Sequence, residues 1–376
     1  YYYRIILELY RNKIGNLING GVVKKYDPDL ETPFQILDPI TNTGWFEDWN
    51  AIEISNEEQL RMIGVDYDYP LHESYVLTND IYLTRNFTPI GTQARPFRGR
   101  FNGDGFSIYG ESIGNIDGAF QGLFGYTIGA SIFNVGLDNL TVYGNYWVGG
   151  IVGLGYSTKV YKCYTGSGVK IITSNRIVTT DTSDQDELNN YTGSIIGGAR
   201  DCDIRECYSL STVESYTSVG GITGELLNSN MSNCYFIGTI EGKSDWIGGL
   251  VGYMGSWMNT RPCSLANCYT IVTDGYFYGT YCGGLIGYVR SEVLSPPTTV
   301  FSNNYWNVDR WINYKESPLQ SLGRAGTLSQ VSSSSLSSLR SSSNYTDWDF
   351  NIIWGIRDLD TYPYLNRVTR ELDKWR

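Results

Sequence analysis

A short glycine signature recurs along the chain at nearly constant spacing. Gly122-Leu123-Phe124-Gly125 is followed by Gly149-Gly150-Ile151-Val152-Gly153, Gly193-Ser194-Ile195-Ile196-Gly197, Gly220-Gly221-Ile222-Thr223-Gly224, Gly248-Gly249-Leu250-Val251-Gly252 and Gly283-Gly284-Leu285-Ile286-Gly287. Taken at Gly122, Gly150, Ser194, Gly221, Gly249 and Gly284, the steps are 28, 44, 27, 28 and 35 residues, a base period of about 27–28 with two insertions. A second signature runs in step with it: Cys163-Tyr164, Cys207-Tyr208, Cys234-Tyr235, Cys268-Tyr269 and finally Asn304-Tyr305. The cysteines lie 13, 13, 13 and 19 residues after their glycine marker. Both signatures sit in runs that alternate apolar and polar residues, such as Ala266 to Val272, as half-buried strands do. A unit this short cannot bury its own apolar face, so successive units must stack, each pairing with the next at about 4.8 Å. The fold expected is all-β, a right-handed parallel β-helix (β-solenoid) of about 27–28-residue coils, with a short N-terminal helix and a small C-terminal cap. The glycines then serve corners, or places where neighbouring coils approach without room for a Cβ. A phosphate-cradling loop is a poor reading of them, because such a loop occurs once and opens a helix.

Composition narrows the function. Charged residues make up 18% of the chain, under the usual quarter, while there are 43 Gly and 31 Tyr, as in turns and strands. The 28 Lys and Arg against 39 Asp and Glu leave a net charge of −11, which repels phosphate backbones and anionic headgroups. Nucleic acid and membrane surfaces are therefore not expected partners. One histidine, His72 in a Pro-bounded loop, leaves almost no room for imidazole-based catalysis or metal cages, and a surface role suits it better. No membrane span is expected: the most apolar stretch, Ile5 to Ile18, is broken by Glu8, Arg11 and Lys13. The chain begins at Tyr1 in place of Met, as a processed product or a fragment would.

The ordered set of motifs resembles the GLUG repeat of bacterial surface adhesins and large secreted proteins. Its core is Gly-Gly-[Ile/Leu/Val]-x-Gly-Tyr followed by Asn-Cys-Tyr. Upstream, Ile54 to Leu60, Leu77 to Leu83, Pro89-Ile90-Gly91 and Pro96 to Gly105 resemble the segment usual before such repeats. Downstream, Asn304-Tyr305-Trp306, Trp348-Asp349-Phe350, Ile353-Trp354 and Tyr362 to Leu365 resemble the usual closing segment, so the likeness spans about residues 50–366. It implies an extracellular solenoid and no particular chemistry. Residues 1–50, an acidic insertion in the third coil and a lengthened fifth coil around Tyr253 to Pro262 depart from the pattern.

Four regions are expected: 1–50, an N-terminal helix and extended docking segment; 51–118, a cap and the first coils; 119–306, the repeat solenoid; 307–376, a C-terminal cap with a Ser-rich link. Ile6, Leu9, Tyr10, Lys13 and Leu17 mark an amphipathic helix over Tyr3 to Leu17, ended by Gly20-Gly21, which gains stability only by docking. Pro28, Pro33 and Pro39 then mark an extended stretch. Ser55-x-x-Glu58 reads as a capping box opening a short helix to about Gly64 that plugs the first coil. Ser332 to Ser335 and Ser341 to Ser343 read as a flexible or weakly helical link.

Candidate chemistry is sparse. Cys163, Cys207, Cys234 and Cys268 occupy one place per coil and are expected as an inward ladder of packed thiols. Cys202/Cys207 and Cys263/Cys268 share a C-x4-C spacing, which suggests local disulfides in an oxidising compartment. Zinc lacks its CxxC pair and a nearby histidine. Asp181, Asp184, Asp186 and Glu187 are weak candidates for calcium, since they crowd carboxylates into one loop without a known calcium spacing; a solvated loop is the plainer reading, and no cofactor is otherwise expected. Asp201 and Asp203 project to one strand face, the carboxylate arrangement of polysaccharide-cleaving solenoids, although an exposed turn next to Cys202 is the plainer reading. Trp147, Trp246, Tyr253, Trp257, Tyr276 and Tyr278 are the contact candidates, rings able to stack on sugars or anchor protein partners, and also the residues from which coil edges are built. Five N-x-S/T sequons, at Asn86, Asn139, Asn190, Asn230 and Asn344, are what this composition yields by chance. The function expected is that of a non-enzymatic extracellular structural or adhesive protein at the cell surface. Its solenoid would be a rigid stalk or display surface, and its partners the subunits of the same or a larger assembly, or surface glycans. A receptor-binding spike or fibre on a virion surface and a carbohydrate-active β-helix enzyme are the alternatives.

Overall fold

The computed structural model describes residues 36–37, 44–45, 51–174, 190–255, 263–277, 281–290, 299–307, 320–322, 331–366 and 368. The chain forms two compact units, Tyr1–Ala51 and Ile52–Arg376. In the first, Ile36–Leu37 pairs antiparallel with Gly44–Trp45; the expected helix over Tyr3 to Leu17 lies outside the described residues.

The second unit is all-β, with parallel strands in sheets of twelve, nine and thirteen strands. The glycine signature lies in the twelve-stranded sheet. Phe124–Ile128 pairs with Val152–Tyr156, then Ile196–Arg200, Thr223–Leu227, Val251–Gly255 and Cys282–Val289, all parallel. The register Phe124↔Val152↔Ile196↔Thr223↔Val251↔Ile286 reproduces the uneven steps of the sequence, so the strands keep their pairing across both insertions. In the nine-stranded sheet the middle residues Phe101, Ile132, Val160, Ile204, Met231, Leu265 and Phe301 line up from unit to unit. All of them are buried, each burial being worth about 1.5–3 kcal/mol.

Corners are turned mostly by left-handed residues other than glycine. One column comprises Asn134, Lys162, Glu206, Asn233, Asn267 and Asn303, at φ between 50 and 56°. Asn tolerates this conformation because its short amide bonds locally, which suits it to the place before Cys234-Tyr235, Cys268-Tyr269 and Asn304-Tyr305. A second column is Phe120, Trp147, Tyr191, Ser218 and Trp246; a third is Gly129, Ser157, Asp201 and Asn228. The paired glycines do not turn these corners. At Gly221 a Cβ would meet the carbonyl of Gly249 and the ring of Phe236; at Gly249, the carbonyl of Gly284 and the side chain of Thr270. The degenerate copy obeys the same constraint by another route. Ser194 donates its hydroxyl to the carbonyl of Gly221, and the facing register position, Thr165, Phe236 or Thr270 in other units, is the smaller Ser209.

The short helix spans Glu57–Met62, and its cap is displaced by one residue from the expected box. Asn56 is the N-cap, its side chain accepting from the Gln59 N–H, while the Gln59 side chain accepts from the Ser55 N–H at 2.8 Å. Gln59 thus plays the reciprocal part expected of Glu58. Glu57 is drawn away to Arg61 and to Thr84, whose N–H and hydroxyl it accepts at 3.0 and 2.7 Å.

The tyrosines of the Cys-Tyr signature stack face to face. Tyr164, Tyr208, Tyr235 and Tyr269 have successive ring centroids 5.0, 5.1 and 5.2 Å apart. The C-terminal segment lies over them. Leu339, Tyr345, Trp348, Trp354, Tyr362 and Leu365 join the tyrosines in one buried cluster. Tyr269 donates to the Pro363 carbonyl at 2.6 Å, Trp354 to Asn233 at 3.3 Å and Trp348 to the Asn303 carbonyl at 3.1 Å. The Ser-rich stretch is therefore part of this cover. Its first part is not a link but strand Val331–Ser334, parallel to Asn304–Asn307; its second forms two 3₁₀ turns, Ser338–Arg340 and Ser342–Asn344, pinned by buried Leu339 and by Asp358, which accepts from the Ser342 N–H at 2.7 Å.

Candidate functional site

The cysteines are structural. All seven are free thiols and all are buried. The expected disulfides Cys202–Cys207 and Cys263–Cys268 do not form, and the strand geometry explains the correction. Strand Asp203–Arg205 separates the first pair, and Cys263 opens strand Cys263–Ala266 while Cys268 follows it. Three extended residues span about 10 Å, beyond the roughly 4.4–6.8 Å Cα separation that a disulfide needs. Cys207 instead lies between Cys163 and Cys234 on the neighbouring units, and the three thiols donate to backbone carbonyls, Cys163 to Tyr161 at 3.4 Å, Cys207 to Arg205 at 3.3 Å and Cys234 to Ser232 at 3.3 Å. Cys268 continues the ladder, its sulfur 3.4 Å from the Cys234 N–H. Burial pushes the Cys163 and Cys234 thiols well above their ordinary pKa, Cys202 up to about 12 and Cys263 up to about 11.

The carboxylate candidates are not brought together as a catalytic pair. Asp201 occupies a left-handed corner, and Asp203 is bound to Arg205, whose Nε donates to it at 2.7 Å. Asp181, Asp184, Asp186 and Glu187 lie outside the described residues. Among the described residues no group of three His, Cys, Asp or Glu side chains is placed to hold a metal ion. His72 is exposed, 3.6 Å from Glu73.

The aromatic candidates do converge. Trp147, Trp246 and Tyr253 belong to one small cluster with Tyr191, Leu227 and Tyr288, separate from the main core. The left-handed corner column supplies one row of this wall, and the next row runs Tyr126, Leu154, Gly198, Glu225, Tyr253, Tyr288 in strict register. Trp147 stacks between Phe120, 5.1 Å and 11° away, and Tyr191, 5.9 Å and 21° away. Trp246 lies 5.2 Å from Tyr253 and 5.3 Å from Tyr288. Ser218 interrupts the rings between Tyr191 and Trp246.

An ion pair is set into the wall. Arg200 donates from Nε and Nη2 to the two oxygens of Glu225, at 2.8 and 3.1 Å, and from Nη1 to the Tyr156 hydroxyl at 2.8 Å. Its guanidinium also lies over Trp147 and Tyr156, 5.7 and 5.6 Å from their ring centres. Burial disfavours charge on Arg200, but the Glu225 carboxylate outweighs it and holds the arginine above its ordinary pKa. Glu225 is itself 1% exposed. Gly198 makes the arrangement possible, because a Cβ there would meet Trp147 at 2.6 Å. Trp147 Nε1 and Ser218 Oγ are buried without a hydrogen-bond partner among the described residues.

Of the other contact candidates, Tyr276 lies on strand Tyr269–Phe277 in the thirteen-stranded sheet, paired with Glu241, away from this wall; Trp257 and Tyr278 lie outside the described residues. Phe120, Tyr191, Arg200, Glu225 and Tyr288 were not anticipated. Counting back from each glycine pair would have found Phe120 and Tyr191, which share Trp147's place before it; nothing local marks Arg200 and Glu225 as partners.

Residues 215–241 match the family model of the GLUG motif. This segment is one unit of the stack, and the resemblance drawn from the repeated signatures holds. No curated protein matches the chain. Among solved structures, the chain is similar to that of a "putative immunoglobulin A1 protease" from Bacteroides ovatus, with a TM-score of 0.58 at 18% identity, covering 85% of this chain and 93% of that one. At that identity the likeness concerns the fold.

Proposed function

We propose that the parallel sheets close as a right-handed β-solenoid acting as a rigid, non-enzymatic display surface of an extracellular structural or adhesive protein within a larger assembly. The observation that carries this reading is the aromatic wall with its Arg200–Glu225 pair: large rings held on successive coils by backbone register, with Trp147 Nε1 and Ser218 Oγ unpartnered among the described residues. Rings and arginine fixed on a rigid scaffold lose little entropy on binding, the property that makes such residues dominate interfaces. The protease name of the structural neighbour supplies the competing reading. Both are tested by incubating the full chain with immobilised cell-surface polymers and, separately, with immunoglobulin A1. Retention on the polymers without cleavage of either material, weakened about tenfold by Trp147→Ala or Trp246→Ala with an unchanged β circular-dichroism spectrum, supports display. Cleavage products from either material overturn it.

A further inference from the structure

The stacked rings of the wall stop at Phe120, and where they stop the surface opens into a groove of about 440 Å³. Trp147, on the next unit, covers the face of the Phe120 ring on that side, and Tyr126 meets it edge-on at 5.1 Å. The groove lies on the side of the preceding unit, whose segment Asn86 to Thr92 forms one wall, while Gly114 to Gln121 forms the other. The ring of that preceding segment, Phe87, does not continue the column: it is buried in the main core, pairs with Ile113 and carries the Arg61 guanidinium 5.0 Å over its face. The position one coil before Phe120, about 4.8 Å away by strand spacing, is therefore a slot for a ring-shaped molecule.

The lining specifies what kind of ring. Asn86, Thr88, Thr92, Asn115 and Gln121 surround it with amides and hydroxyls, and no Asp, Glu, Lys, Arg or His lines it, although the chain carries a net charge of −11. The amides are oriented with their donors to spare. Asn86 accepts from the Ser112 hydroxyl at 2.9 Å and Asn115 accepts from the Asp117 N–H at 3.1 Å, both through the side-chain oxygen, leaving each Nδ2 group to donate. Gln121 is fixed as a floor, accepting from the Asn115 N–H at 3.0 Å. Uncharged donors around one aromatic face match a molecule with an apolar ring face and a rim of hydroxyl acceptors. We infer that this groove binds a neutral pyranose, its apolar face on Phe120 and its hydroxyls on Asn86, Thr88, Thr92 and Asn115.

This inference rests on the display reading and gives it a ligand class. The test titrates cellobiose, maltose and lactose into the full chain, followed by saturation-transfer NMR and calorimetry, with galacturonic acid as the charged comparison. At least one neutral disaccharide is expected to bind and the acid not to bind. Phe120→Ala should weaken binding about tenfold and Asn115→Ala about fivefold, while Trp246→Ala, far along the wall, should leave it unchanged. Asn115 is exposed, so its variant keeps the test valid if Phe120→Ala fails to fold. Absence of binding by every disaccharide, or binding indifferent to Asn115→Ala, overturns the inference. Retention of the same variants on immobilised surface polymers separates the two ideas: a chain that still adheres with this groove disabled keeps the display reading and loses the groove as its sugar site.

Discussion

Two columns of aromatic residues run along the same repeats and differ in almost every respect. The tyrosine column, Tyr164, Tyr208, Tyr235, Tyr269 and Tyr305, repeats one residue in five successive units, between Gly136 before it and Ser332 after it, and its first four rings stack nearly parallel, within 11°. It lies beneath a dedicated C-terminal cover. The wall column changes identity at each step, Phe120, Trp147, Tyr191, Ser218 and Trp246, and carries a buried ion pair beside it. Uniformity follows when each ring packs only against its own image, since one shape satisfies every position. Variety, unpartnered polar atoms and an internal charge pair serve no such packing purpose. The first column holds the molecule together, and the second is where its individuality lies.

The sharpest way to break this contrast is to delete one ring from each column. Tyr269→Ala removes a fully buried ring and its bond to Pro363, and should cost about 3–5 kcal/mol in denaturant unfolding. Trp348 and Trp354 fluorescence should report release of the cover. Trp147→Ala should cost clearly less, because Trp147 is only half-buried. Equal losses at the two sites would erase the distinction.

Glu225→Ala leaves the Arg200 charge in the wall without its carboxylate and should destabilise by about 3 kcal/mol. The double variant Glu225→Ala/Arg200→Met should recover much of that loss. A single variant as stable as the parent would mean that the pair is solvated and the wall more open than its burial indicates.

Gly249→Val should cost about 1–3 kcal/mol by overpacking against the Gly284 carbonyl and Thr270. Gly249→Ser combined with Thr270→Ser reproduces the Ser194–Ser209 arrangement and should be close to neutral in melting temperature. If valine is tolerated as well as that pair, the contact between successive units is looser than described.

The smallest effect is a pH dependence. Cys202 and Cys263 have folded pKa values raised by burial to about 12 and about 11. Their stabilising share is complete below the unfolded thiol pKa of about 8.5 and is lost as pH climbs through the folded values. The melting temperature should thus hold to about pH 8 and decline above it, and all seven thiols should resist a thiol reagent in the folded state yet titrate after unfolding. Rapid labelling of Cys202 in the native protein would contradict its burial.

Much of the fold was legible in the chain itself. The markers at Gly150, Ser194, Gly221 and Gly249 predicted a register that the strands follow through both insertions, because parallel pairing forces equivalent residues to stack and so imprints a period on the sequence. The inward thiol column at Cys163, Cys207, Cys234 and Cys268 was readable for the same reason. The C-x4-C spacing misled, because separation in sequence says nothing of whether the intervening residues are extended. Trp147, Trp246 and Tyr253 were picked out as large rings near corners, yet their convergence depends on adjoining rows of one sheet, a relation between units rather than within one.

Period, strand class and the buried columns are thus properties of the one-dimensional pattern, since each arises from a residue meeting its own repeat. The Arg200–Glu225 pair, the cover laid over the tyrosines from residues far downstream and the groove left where the rings end at Phe120 arise from residues meeting different ones. Such contacts leave no period behind, so only the folded chain reveals them.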